Sequence, residues 1–349
     1  MKKLAETKRD IVWETSLIDK ALLNGDLDMA KCMREHGCPI SRGAGIKLSG
    51  KGELDCIHWI ISHGVPLHGK MYCDAAAAGH LHVMKWLHEN TTCDWDTHAF
   101  KGAAARGDIP MLEWMLQHHE PVGTHSIAAS VPHGWTVIQW MREHGFEWDY
   151  LTTQAAARIG NLELLRLLES KIVTCPSQNC PVTRHASLDA ASEGHLHVLN
   201  WLYNKGYHMG QSMGMGAGEK GHLHVLKWMK EKGLPFDCMH GTLHGVDFLC
   251  SARAARGGHL HVLRWLRRET NCVWREGPIC NAAASRGYVD ILKWALEEEG
   301  MTPAKNVCMV AAMNGQTATF DYVTKMGYPA EDPDQAMRAL AISRERTEN

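Results

Sequence analysis

The chain has 349 residues, 37 Lys and Arg against 39 Asp and Glu for a net charge of −2, and 45% hydrophobic residues. Near-neutral charge gives no general field for nucleic acid or anionic lipid, and no apolar run reaches the ~18 residues of a membrane span. The N-terminal lysines precede no secretory-type apolar run, so the expected setting is cytoplasmic and reducing, with the 12 cysteines as free thiols.

In chain order, residues 1–16 read as an N-terminal cap, after which a repeat takes over. One glycine recurs as Gly25, Gly52, Gly79, Gly107, Gly134, Gly160, Gly194, Gly221, Gly258, Gly287 and Gly315. The spacing is close to 27 residues, with two longer intervals of 34 and 37. GHLHV occurs four times, beginning at Gly79, Gly194, Gly221 and Gly258.

Each unit predicts two short helices. Before the glycine comes an alanine run, as at Ala75–Ala78, Ala103–Ala105, Ala155–Ala157 and Ala282–Ala284. Alanine forms helix readily and lets neighbouring backbones approach. After the glycine, apolar residues recur with helical periodicity, as in Leu81, Val83, Met84, Trp86 and Leu87. The glycine itself suits a tight turn that needs positive φ. A pair of this size cannot bury its own apolar face, so neighbours must stack. Trp59, Trp86, Trp114, Trp140, Trp201, Trp228, Trp265 and Trp294 share one repeat position, which reads as packing between repeats rather than an aromatic ligand track.

Two insertions lengthen the loops near 172–183 and 237–247. Cys238, His240, His244 and Cys250 are residue types zinc accepts, but their spacing matches no finger, and an ordinary polar loop is the better reading; the same holds for Cys175, Cys180 and His185. Gly45–Lys51 and Gly216–Gly221 imitate phosphate-binding glycine motifs, yet neither follows a strand, and both fall inside repeats. The four His-Leu-His triplets put their histidines two apart on a helix, which prevents chelation by one triplet; the second histidine is expected to be solvated. The glycines at 210, 214, 216 and 218 weaken a first helix and suggest a soft joint. In the ninth repeat Arg253, Arg256, Arg264, Arg267, Arg268 and Arg275 gather around Trp265 and Trp274, with Glu297–Glu299 one repeat later, so solvated, alternating helix ends are expected. Residues 331–349 read as a polar C-terminal cap and tail.

AAAAGHLHVMKWLHEN, AASEGHLHVLNWLYNKG, AARGGHLHVLRWLRRE and AAASRGYVDILKWALEEEG carry a resemblance to the ankyrin repeat over roughly residues 17–330. The Thr-Pro-Leu-His start is missing, and the period is about six residues short of the usual 33. The resemblance implies one all-α solenoid of about eleven stacked helix-turn-helix repeats with hairpin fingers reduced or absent. It implies a structural role for the first histidine, at the turn. It also implies a non-enzymatic scaffold without cofactor or metal, binding a protein partner through the concave first-helix face and adjoining loops. The residues that vary on that background are Arg106, Arg158, Glu193, Lys220, Arg256 and Arg286, with His240 and His244 in the second insertion. The alternatives are a structural subunit of a larger assembly, or a metal- or nucleic-acid-binding protein using residues 237–250 and the repeat-nine arginines. No nucleophile elbow or HExxH motif supports an enzyme, and neither a membrane partner nor a small-molecule substrate is expected.

Overall fold

The computed structural model describes residues 15–91, 98–118, 126–146, 150–171, 184–210, 212–236, 249–272 and 274–348. Every regular element among them is a helix. They form two compact units, 1–152 and 153–349, divided within the helix Tyr150–Arg158.

The pairing follows the amphipathic pattern. In the first helix Lys70–Ala78, Met71, Tyr72, Ala75 and Ala76 are buried, which is one face at helical spacing. Its partner Leu81–Asn90 buries Val83, Met84 and Leu87. The motif repeats: Ala103 and Ala104, Ala190 and Ala191, Ala254 and Ala255, and Ala283 and Ala284 are all fully buried in first helices. Leu196–Asn204, Leu223–Glu231 and Leu260–Glu269 bury an aliphatic triad at the positions equivalent to Val83, Met84 and Leu87.

Within the first unit, Thr15–Leu23, Ala44–Lys51, Lys70–Ala78, His98–Arg106 and Ser126–Ser130 pack one on the next in sequence. Within the second unit, Arg184–Ser192, Met213–Glu219, Cys250–Arg256, Glu276–Arg286, Val307–Met313 and the C-terminal helix Pro333–Glu348 do the same. Apart from the C-terminal helix, the first helices of these two stacks also pack on their own second helices. The chain is therefore an all-helical repeat protein of solenoid type, in which the small first helices form a continuous stack inside each unit.

The glycines of Met213–Glu219 have a reason other than softness. A Cβ at Gly214 would collide with the Phe236 carbonyl, one at Gly216 with Ser192 Oγ, and one at Gly218 would lie 2.9 Å from Cys250 Sγ. The Cys250 thiol donates to the Gly214 carbonyl at 3.1 Å. Glycine here permits close approach between neighbouring first helices, so the expected soft joint is one of the tightest contacts of its unit. Gly45–Lys51 lies within the helix Ala44–Lys51 and most of Gly216–Gly221 within Met213–Glu219, so neither segment forms a phosphate loop.

The tryptophans pack between repeats. Trp86 lies 4.4 Å from the His58 ring of the preceding unit, and Trp228 Nε1 donates to Asn200 Oδ1 at 2.8 Å. Trp294, only 1% exposed, sits where the second helix Val289–Lys293 passes into a π-helical turn over Trp294–Glu298. Tyr322 takes the same position one repeat later, and its hydroxyl donates to Glu297 at 2.7 Å.

Candidate binding site

The turn between the two helices of a repeat is locked from the next repeat. Gly194 and Gly221 both hold φ at +78°, and a Cβ on Gly221 would lie 2.6 Å from His259 Nδ1. His259 Nε2 donates to the Glu219 carbonyl at 3.1 Å. His195 Nε2 reaches the Arg158 carbonyl at 2.8 Å, and His222 bonds the Ser192 carbonyl. Arg158, Ser192 and Glu219 each end a first helix, where the last carbonyls lack intrahelical partners. The first histidine of one repeat thus caps the first helix of the repeat before it.

The second histidine is also engaged. Nε2 of His82, His197, His224 and His261 bonds the carbonyl of the preceding turn glycine, Gly52, Gly160, Gly194 and Gly221, at 2.8–3.3 Å. The expected solvation is only half the account: these side chains are exposed, but each is tied to the turn one repeat back. Burial lowers the pKa of His222 and His259 from the ordinary 6.5; His224 and His261 push the same way, and the bonded carbonyls oppose them. A third set caps second helices: Nδ1 of His36, His63, His118 and His144 bonds the carbonyl four residues back at 2.7–2.8 Å.

Where no histidine follows the glycine, another side chain takes its place. Tyr288 packs on Gly258, Gln316 on Gly287 and Arg106 on Gly79. Around Gly134 the turn differs, because a short 3₁₀ segment, Val131–His133, precedes it. His133 then reaches the Ala105 carbonyl at 2.7 Å from the position before the glycine.

The candidate residues divide accordingly. Arg158 bonds Asp189 at 3.0 Å, and Lys220 faces Glu193 at 3.8 Å, so three of the six link adjacent repeats. The Arg106 guanidinium lies over the Gly79 turn. Arg256 and Arg286 have no ion-pair or hydrogen-bond partner among the described residues. His240 and His244, with Cys238, lie outside the described residues, as do Cys175 and Cys180. Among the described residues no three of His, Cys, Asp and Glu gather as a metal site would require.

The remaining repeat-nine arginines are mostly spoken for. Arg253 pairs with Glu219 at 2.8 Å, Arg264 with Glu298 at 3.0 Å, and Arg267 with Glu299 at 3.3 Å while lying over Trp274. The expected alternation of solvated helix ends is what Arg264 and Arg267 form with the glutamates of the next repeat.

Arg256 and Arg286 converge on a groove of about 810 Å³ between first helices. Its floor is made of small residues, among them Ala252, Gly277 and Ala282, and its rim carries Asn281, Ser285 and Asn314. Periodicity exposed the two arginines as departures from the alanine background, but not the groove, because Asn281 and Asn314 carry no repeat signal.

Comparison with known proteins adds a distant likeness. No family profile and no curated protein matches the chain. Among solved structures it is similar to the pentatricopeptide repeat protein PPR10 from maize, at 14% identity and a TM-score of 0.41, covering 95% of this chain and 56% of that one. The chain therefore spans little more than half the length of that protein. No helix among the described residues is long and apolar enough to cross a membrane.

Proposed function

We propose that this chain is a non-enzymatic scaffold of short ankyrin-like repeats that binds a protein partner through its first-helix face. The observation that carries the reading is the groove at Arg256 and Arg286. Buried alanines keep the first helices thin, so longer side chains placed just before the turn glycine stand above a low floor. A concave lining on which a few polar groups converge is where a ligand is expected to bind. The ankyrin-like reading is supported by the buried alanine pairs, the left-handed turn glycine and the histidine that follows it.

Replacing Arg256 and Arg286 together by Gln tests it. The expected result is that a partner captured from native lysate by the intact chain is no longer retained, while the thermal midpoint stays within a few degrees. Retention of the partner, or equal loss of binding and stability, refutes the assignment to this face.

A further inference from the structure

We infer that the groove at Arg256 and Arg286 takes an extended, acidic peptide segment, with a carboxylate on each arginine and backbone amides against the groove floor. This deepens the scaffold reading and rests on it. The helix Glu276–Arg286 runs beside the groove for 11 residues, roughly 16 Å at 1.5 Å per residue. That is the span of about five residues of extended chain.

The charge pattern decides the partner. Three of the nearby cations have an anion, Glu219 for Arg253, Glu298 for Arg264 and Glu299 for Arg267, while Arg268 and Arg275 have none among the described residues and do not line the groove. Among the described residues Arg256 and Arg286 have no anion, and they stand at the same end of successive first helices and line one cavity. Two uncompensated guanidiniums at a shared rim call for two anionic groups, and arginine binds carboxylates as a planar fork.

Asn281 supplies the second part of the argument. Its Nδ2 donates to Asn306 Oδ1 at 3.0 Å, while its own Oδ1 is buried and unpartnered. A buried acceptor without a donor is costly, so Asn281, which lines the groove, is short of one hydrogen-bond donor. An extended peptide offers an N–H at every residue along its main chain, whereas a nucleic acid offers donors on its bases and, in RNA, its 2′-hydroxyls, but none on the phosphates that two arginines would hold. The floor of Ala252, Gly277 and Ala282 leaves room for a main chain to lie close to the helices.

The test is selection from a random short-peptide library on the full-length chain, with the R256Q/R286Q variant and a poly-U oligonucleotide as comparisons. The proposal expects selected peptides to carry two acidic residues and to lose affinity by about tenfold or more in each single arginine variant. Replacing the selected acids by Gln should cause a similar loss, and N281A should weaken binding without altering the acidic preference. Circular dichroism and the thermal midpoint of each variant confirm that it folds. Selected peptides without acids, or acidic ones that bind R256Q/R286Q unchanged, overturn this site while leaving the scaffold reading in place. Binding of the oligonucleotide but of no peptide overturns both and points to nucleic acid; recovery of no ligand of either kind also overturns both.

Discussion

Substituting Ala for Gly221 tests the lock between repeats at a single atom. The new Cβ meets two separate costs. At φ +78° an L residue is strained by about 1–2 kcal/mol. The Cβ also lies 2.6 Å from His259 Nδ1, so the ring must swing away and give up its bond to the Glu219 carbonyl, worth about 1 kcal/mol. The sum is about 2–3 kcal/mol. Guanidinium denaturation followed by far-ultraviolet circular dichroism reads it as a lower midpoint at unchanged slope. The decisive measurement is the double-mutant cycle with His259→Ala. Once the ring is gone only the backbone strain remains, so Gly221→Ala should cost about 1 kcal/mol less in that background. Full additivity of the two substitutions would refute the idea that glycine and histidine form one unit.

Other outcomes follow from the same structure. Because folding lowers the pKa of His222 and His259, their contribution to stability is complete above the ordinary value of 6.5 and is lost as the pH falls below it through the folded values. The H222Q/H259Q variant should show a shallower drop in thermal midpoint between neutral and mildly acidic pH, and an unchanged slope would contradict this. Trp294→Ala, at a site 1% exposed, should cost about 3–5 kcal/mol, whereas charge removal at Arg264, an exposed pair, should cost at most about 1 kcal/mol in the same denaturation assay. Burial, with Glu276 nearby, pushes the Cys280 thiol up to about 12, while Cys32 is exposed. A thiol-alkylating reagent at neutral pH should therefore label Cys32 in the native chain and Cys280 only after unfolding, as mass spectrometry of peptides would show.

Much of this architecture was legible because one repeat imposes one environment many times. The turn glycine, the alanine pair and the tryptophan each recur at a fixed offset, and each proves to have one structural job. The histidines were harder to read. Spacing showed correctly that a single His-Leu-His triplet cannot chelate, but their partners are carbonyls one repeat back, 30 residues away for His82 and 40 for His261. Insertions make that separation vary, so no fixed interval reveals it. The glycines at 214, 216 and 218 were misread for a similar reason. Helix propensity counts their cost within one helix, while their use lies in the Phe236 carbonyl, Ser192 and Cys250 that press against them. Among the candidate site residues, composition could not separate Arg158, held by Asp189, from Arg286, held by no anion among the described residues, because the distinction depends on which side chain the neighbouring repeat presents.

The direction of the histidine lock bears on how such a chain can grow. Every capping histidine points toward the N-terminus, so a repeat such as Gly194–His197 carries a socket for the unit after it and a plug for the unit before it. A unit copied in tandem arrives with both halves and fits its parent at either seam without a compensating change. Losing a plug, by contrast, loosens a helix in a neighbouring unit whose own sequence is intact. Lengthening by duplication is thus structurally cheap, and damage is felt one repeat upstream of where it is written.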